Sequence, residues 1–237
     1  MSDRISILVP TWRRSRFLPL LLRNLKIQDY PHHLLEVVIL DDCPQEPLIK
    51  DSELEEVKKH LHPMRLNYIK DKERKTIGKK RNLLVKHATS NIVAYMDDDD
   101  VYFPTYISYS YDTLKNNKLG CVGSNKMIFA MSDFNYDVFA IDCGDNKKLI
   151  HEATIMMTKK WHRASCGFGD NSQGEGKDLF YGMERSVAIT DIRNVMCCLQ
   201  HPWNTVEKTQ FATPEKKIDM TMDDNLKKIL DKIIKDN

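Results

Sequence analysis

Four consecutive aspartates, Asp97 to Asp100, follow directly on the apolar run Asn91-Ile92-Val93-Ala94-Tyr95-Met96. Adjacent carboxylates repel one another, so such a run is unfavourable unless a cation compensates it. Hard cations such as Mg2+ and Mn2+ favour oxygen ligands, and Mg2+ is commonly held by one or two carboxylates together with substrate phosphates. A second acidic pair, Asp41-Asp42, closes another apolar run, Glu36 to Leu40. Aspartates placed there are suited to accept hydrogen bonds from a nucleobase or from ribose hydroxyls. The plainer alternatives are an acidic turn capping a helix that Pro104 opens and, for residues 41–42, a turn or helix cap.

Between the two clusters, Lys70 to Arg81 carries seven basic residues and two acidic ones. A solvated basic face is the ordinary explanation of such a run. Nucleic-acid binding would call for interleaved aromatics, which it lacks. The third option is that one or two members, Arg81 above all, neutralise a diphosphate, with Gly78 letting the backbone approach a ligand. Glu175 and Asp178 lie in Gly174-Glu175-Gly176-Lys177-Asp178, either as acids of a helix start or as a general base on a glycine-flanked segment. His201, in His201-Pro202-Trp203-Asn204-Thr205, follows the run Val195 to Leu199 and is either structural or a ligand. His151-Glu152 precede the run Ala153 to Met157; they line an acceptor pocket or are simply structural, and the structural alternative is the default.

These residues need a frame that brings them together. Ile5 to Val9, Glu36 to Leu40, Leu66 to Ile69 and Asn91 to Met96 read as strands. Between them lie apolar residues at helical spacing over 17–25, a polar helix over 52–61 and a further helix over 77–88. Strand–helix alternation with connections too long for hairpins predicts right-handed βαβ units and a mostly parallel sheet, whose ligands gather at the carboxyl ends of the strands. Beyond about residue 118, short apolar runs (119–123, 127–131, 136–141, 153–157) broken by Gly, Asp and Asn predict mixed strands. With no Gly/Ser/Pro linker between them, the halves read as one α/β domain over 1–208 with two functional lobes, 1–100 and 101–208. The tail over 209–237 holds an amphipathic helix, with Leu226, Ile229, Leu230 and Ile233 on one face, that docks back or meets a partner.

Composition narrows the classes. The chain has 237 residues and a net charge of +2, which argues against a general nucleic-acid binder. Six cysteines without a CxxC pair exclude zinc-ribbon and thioredoxin-like sites. The start lacks an apolar signal region and no run reaches the ~20 residues of a membrane span, so a cytoplasmic location is expected. The signatures of P-loop nucleotidases, dinucleotide oxidoreductases, GxSxG hydrolases and HExxH proteases are absent.

Four segments together resemble family 2 glycosyltransferases. Ile5-Ser6-Ile7-Leu8-Val9-Pro10-Thr11-Trp12-Arg13-Arg14 is similar to that family's opening strand and Pro-Thr-Tyr-Asn. Val37 to Asp42 resembles its second strand and Asp-Asp, Gly78 to Asn82 its Gly-x-x-Arg-Asn helix start, and Tyr95 to Asp100 its Asp-x-Asp-Asp. The order and spacing match over about residues 3–206. The resemblance implies a GT-A fold, with a Rossmann-like nucleotide-binding half fused to a mixed acceptor-binding half. It further implies a nucleotide-sugar donor (UDP favoured), Mn2+ or Mg2+ under the diphosphate, and transfer with inversion to a hydroxyl of a glycan, lipid or protein. Pro10, Thr11, Arg13, Asp41, Asp42, Lys79 and Arg81 are then expected on the nucleotide and its diphosphate. Asp97 and Asp98 are expected against ribose and sugar, with Asp99 and His201 on the metal. Two positions depart from the pattern: Arg13 stands where the family has Asn, and Gly176 where its Glu-Asp base motif has the second acid. The base role is therefore assigned to Glu175 or Asp178. A sugar-phosphate nucleotidyltransferase and a non-enzymatic nucleic-acid or glycan-binding module are the competing classes. Residues 11–14 lack the glycine that the loop of the former needs.

Overall fold

The computed structural model describes residues 2–144, 146–204 and 209–235. In chain order, β1 (Ile5–Thr11), α1 (Leu18–Lys26), β2 (Leu35–Asp41), α2 (Leu54–Leu61), β3 (Arg65–Lys70), α3 (Ile77–His87) and β4 (Ile92–Tyr95) alternate as the apolar pattern predicts. β2 is buried at every position and β1 at all but Pro10, which is why both read as continuous apolar runs rather than alternating ones. α1 starts with proline in its first turn, where the missing N–H is harmless, and buries Leu20, Leu21 and Leu25. Thr76 caps α3, its hydroxyl accepting the Lys79 N–H at 3.3 Å.

The second half supplies β5 (Val101–Tyr102), α4 (Tyr106–Asn116), β6 (Cys121–Gly123), β7 (Lys126–Met131), β8 (Asp137–Asp142) and β9 (Met156–Thr158). It continues with α5 (Lys159–Ala164), α6 (Gly176–Phe180), β10 (Val187–Ile189), β11 (Met196–Gln200) and α7 (Asp224–Lys235). A seven-stranded sheet has the order β10-β6-β9-β4-β1-β2-β3. Four of its six pairings are parallel, and β9 runs antiparallel to both β4 and β6. Strands from the second half thus complete the sheet begun by the first. A smaller mixed sheet, β5-β11-β7-β8, stands beside it. Register sets Thr11 beside Asp41 and Leu8 beside Tyr95, so the ends of β1, β2 and β4 open onto one edge.

Several boundaries differ from the sequence expectation. Residues 153–155 are not strand: Glu152–Thr154 form a 3-10 turn, held by Thr154 Oγ1 donating to His151 O at 2.7 Å, and β9 starts only at Met156. β4 ends at Tyr95, one residue short, although the Met96 N–H still reaches Leu8 O at 2.9 Å. Pro104 lies outside the helix that follows, which begins at Tyr106. In the tail, the helix is confined to Asp224–Lys235, and the preceding residues from 215 are not part of it. Its Leu226, Leu230 and Ile233 are buried with Ile229 packed beside them, and Tyr136 Oη donates to Asp231 at 2.8 Å. The tail docks back on this chain. Thr205, the boundary at 208 and Asn237 lie outside the described residues.

Candidate active site

A cleft of about 730 Å³ opens at the carboxyl edge of β1, β2 and β4, within the ~300–1,000 Å³ usual for small-ligand sites. Of the residues singled out from the sequence, Pro10, Thr11, Arg13, Arg81, Asp97, Asp98, Asp99 and Glu175 line it. A second cavity, of about 610 Å³, lies by Lys126 and Asp142 at the opposite ends of β7 and β8 and is lined by none of these residues.

Arg81 is the hub on one wall. Residues 77, 80, 81, 84 and 85 recur at helical spacing on α3, and four of them, Lys80, Arg81, Leu84 and Val85, are buried. The Arg81 guanidinium grips Asp97 with two bonds, Nη1 to Oδ1 at 3.1 Å and Nη2 to Oδ2 at 3.2 Å. Its Nε donates to Glu175 Oε1 at 3.1 Å. Burial works against the charge, but Asp97 and Glu175 outweigh it, so the guanidinium holds its proton even more tightly than usual. Asp97 N–H donates to the Tyr102 hydroxyl at 2.8 Å, and that hydroxyl donates to Ala153 O at 3.0 Å. One tyrosine thus ties the end of β4 to the turn that carries Glu152.

The opposite wall is Asp98, Asp99, Arg14 and His201. Thr11 Oγ1 donates to Asp98 Oδ2, and Arg14 Nε lies 3.9 Å from Asp98 Oδ1. Burial, reinforced by the neighbouring Asp99 charge, lifts the Asp98 carboxyl well above the ordinary carboxylate range. Asp99 goes the other way. Burial would raise it, but the His201 hydrogen bond and the Arg14 charge prevail and hold it at about 2. Arg14 Nη2 is 3.0 Å and His201 Nε2 3.3 Å from Asp99 Oδ2. His201 Nδ1 accepts the Trp203 N–H at 3.2 Å, so Nε2 carries the ring proton toward Asp99. Asp100 also lines the cleft, but its Oδ1 accepts the Leu199 N–H at 2.9 Å and fastens β11 to the strand end.

The donor chemistry fits a divalent cation in part. Asp99 and His201 offer one oxygen and one imidazole nitrogen, a set that suits Mn2+ or Mg2+ with substrate oxygens filling the other positions. No group of three or more His, Cys, Asp or Glu ligands occurs among the described residues.

Other expected residues sit elsewhere. Asp41 is saturated by its own chain, accepting from Cys43 N at 3.0 Å, Leu48 N at 2.6 Å and Tyr68 Oη at 2.5 Å; it shapes the 43–48 loop. Asp42 accepts from Lys80 Nζ at 2.9 Å and Lys75 N at 2.7 Å. Lys79 points out to Asp170 at 2.7 Å and does not line the cleft, whereas its neighbour Lys80 is buried there and also donates to Thr11 O at 2.9 Å. Helix phase distinguishes the two, since Lys80 shares the face of Leu84 and Lys79 does not. Asp178 is exposed and outside the cleft, and His201 lies behind it, reaching it through Asp99. The basic run is largely consumed internally: Lys70, Lys75, Lys79, Lys80 and Arg81 each pair with a carboxylate of this chain. Arg14 and the Arg74–Trp12 stack, 3.6 Å from guanidinium to ring centroid, were assigned no role from sequence.

Gly78 does permit a close approach, but of protein rather than ligand. A Cβ there would lie 1.7 Å from Gly169 O, and the Gly78 N–H donates to Asn171 O at 3.0 Å. The segment that ends in Glu175 therefore lies directly on the start of α3. Gly78→Ala is expected to destabilise the chain by about 1–3 kcal/mol through overpacking. It should also make residues 169–175 more sensitive to limited proteolysis. An unaltered cleavage pattern and melting temperature would contradict this packing.

A family model described as "Glycosyl transferase family 2" matches residues 6–171. The chain is 32% identical over 98 residues to the Staphylococcus aureus poly(ribitol-phosphate) beta-N-acetylglucosaminyltransferase TarS, a match covering 41% of this chain and 16% of TarS. The chain thus spans about one sixth of that curated relative. Its fold is similar to that of TarS residues 1–349 solved with UDP, at TM-score 0.64, 17% identity, 84% of this chain and 61% of the other. It is also similar to mannosyltransferase PcManGT from Pyrobaculum calidifontis, solved with GDP-Man and Mn2+, at TM-score 0.61, 17% identity, 84% of this chain and 57% of the other. The expected GT-A architecture is the one these structures share with the chain.

Proposed function

The chain belongs to glycosyl transferase family 2, and from that premise we propose that its cleft binds a nucleoside diphosphate sugar and passes the sugar, with inversion, to a hydroxyl of a glycan, lipid or protein acceptor. The observation that carries this is the meeting of Asp97–Asp99 with Arg81, Glu175 and Arg14 in one cleft at the strand ends, with His201 behind Asp99. Asp97, immobilised by Arg81, faces the donor sugar. Thr11, Lys80 and Arg14 supply the hydroxyl and positive charge of the nucleotide wall. Asp99 and His201 would hold Mn2+ or Mg2+, which when bound neutralises charge developing on the leaving diphosphate. A carboxylate on the facing wall takes the proton of the acceptor hydroxyl as its oxygen attacks the anomeric carbon and the bond to the diphosphate breaks. Attack from the side opposite the leaving group inverts the anomeric centre. UDP is favoured because the similar TarS structure was solved with UDP.

The test is a thermal-shift panel of UDP, GDP, CDP and dTDP, each with and without Mn2+. A ligand at about a hundred times its Kd adds ~2.7 kcal/mol, which at ~2–4 °C per kcal/mol for a chain of this size is roughly 5–10 °C. UDP with Mn2+ is expected to give that rise, and UDP alone much less. No rise with any of the four nucleotides would refute the proposed function.

A further inference from the structure

Resting on the glycosyl-transfer reading above, we propose that Glu152 is the catalytic base, its carboxylate occupying the space that a side chain at position 176 would fill. Gly176 is the first residue of α6, and its φ is outside the left-handed region, so backbone conformation does not demand a glycine there. Crowding does. A Cβ at Gly176 would lie 2.6 Å from Glu152 Oε1 and 3.0–3.1 Å from its Cγ and Cδ. Glu152 Oε1 also accepts the Gly176 N–H at 3.1 Å. Position 176 is where the sequence pattern departs from Glu-Asp. A carboxylate missing from one segment is thus delivered to the same place from another, the 3-10 turn Glu152–Thr154.

The three acids near the acceptor side differ in what holds them. Asp178 is exposed and off the cleft. Glu175 is buried and committed to Arg81 at 3.1 Å, which holds its carboxylate against α3. Glu152 lines the cleft and forms no ion pair among the described residues. The groups around it are Glu175 beside α6, Arg81 from α3 with Asp97 behind it, and His151 on its own turn, with Cys198 of β11 at 3.8 Å from the His151 ring. Burial and the Glu175 charge lift the Glu152 carboxyl above its ordinary range, partly offset by Arg81. Arg81 holds Glu175 in place, and Glu152, which lines the cleft without an ion-pair partner among the described residues, moves the proton. Its turn is also the one tied through Tyr102 to Asp97, which sets the base against the donor sugar.

In the step itself, the acceptor O–H proton passes to a Glu152 carboxylate oxygen. The acceptor oxygen bonds to the anomeric carbon, and the anomeric C–O bond breaks with its electron pair leaving on the nucleoside diphosphate. Glu152 then returns its proton to water.

The experiment measures UDP release from UDP-GlcNAc and GDP release from GDP-mannose, with Mn2+ and water or added acceptor, in wild type, Glu152→Gln, Glu152→Ala and Glu152→Ala/Gly176→Asp. Glu152→Gln is expected to lower turnover about 10²–10⁴-fold and to keep the nucleotide-induced thermal shift of wild type. In Glu152→Ala/Gly176→Asp the vacated space receives a carboxylate from the other segment. Turnover should recover at least about tenfold over Glu152→Ala, a rescue that a purely structural role for Glu152 does not produce. Glu152→Gln turnover within about threefold of wild type overturns the assignment. If wild type releases no nucleotide and shows no thermal shift, glycosyl transfer itself fails. Carboxyl-carbon NMR titration then decides separately, because a Glu152 that titrates at or below the ordinary ~4.3 of glutamate lacks the required basicity and overturns the assignment.

Discussion

Arg81→Met is expected to lower the unfolding free energy by about 3–5 kcal/mol, the usual consequence of removing one partner from a buried ion pair. At ~2–4 °C per kcal/mol this is a fall in Tm of roughly 6–20 °C. The side chain is only 4% exposed, and Glu175, at 6%, has no other cation in contact among the described residues. Methionine leaves Asp97, Glu175 and Glu152 facing one another around an apolar stem. Lysine does not repair this, because one ammonium cannot make the two-pronged contact to Asp97 and also reach Glu175. The guanidinium also lies 5.0 Å above the Tyr95 ring, a contact that neither replacement reproduces in full. The pH dependence separates charge from packing. Carboxyls stripped of their cation bind protons more tightly folded than unfolded, so stability must rise as pH falls. Urea titrations should show the gap between variant and wild type narrowing from pH 7 to about pH 5. A gap that stays constant over that range would mean that lost packing, not uncompensated charge, causes the destabilisation.

The frame was legible because its strands are buried on both faces and its helices carry their apolar residues at regular spacing. Ile5–Val9 and Val37–Leu40 admit few other assignments, and the aspartates after Tyr95 locate the cleft. Harder to read were side chains whose partners are distant in sequence. Lys79 and Lys80 are chemically identical, and only helix phase turns one to Asp170 and the other to Asp42. Asp41 resembles a ligand contact, yet its carboxylate accepts from the loop that follows it, at Cys43 and Leu48, and from Tyr68 of β3. The turn at Glu152–Thr154 reads as the start of a strand because Ala153, Ile155, Met156 and Met157 are all apolar. Met156 and Met157 are indeed strand, whereas Ala153 and Ile155 are buried as strand residues would be but by tertiary packing rather than by ladder position. The closure of Gly176 by Glu152 spans 24 residues and leaves no local pattern.

Asp99→Asn is expected to abolish the Mn2+-dependent part of nucleotide stabilisation and to lower turnover by about 10³-fold. That is what ~4 kcal/mol of lost transition-state charge stabilisation amounts to. Asp99 is the carboxylate best prepared for a cation. The His201 hydrogen bond and the Arg14 charge overcome its burial and hold it at about 2, so it is anionic across the whole working range. As a depressed carboxyl, its contribution to stability is present above its unfolded pKa and is lost only as pH falls through about 2. Loss of metal response between pH 5 and 8 therefore cannot come from protonation of Asp99. The variant should remain folded, since Arg14 keeps Asp98 within 3.9 Å and His201 keeps its Trp203 and Asn204 contacts. Nucleotide binding without metal should persist through Thr11, Lys80 and Arg14. Two measurements on one sample check this: melting temperature with UDP in the presence and absence of Mn2+, and Mn2+ binding followed by electron paramagnetic resonance. Undiminished Mn2+ binding in Asp99→Asn would move the ion to another pair of cleft acids and leave Asp99 as the counter-ion of Arg14.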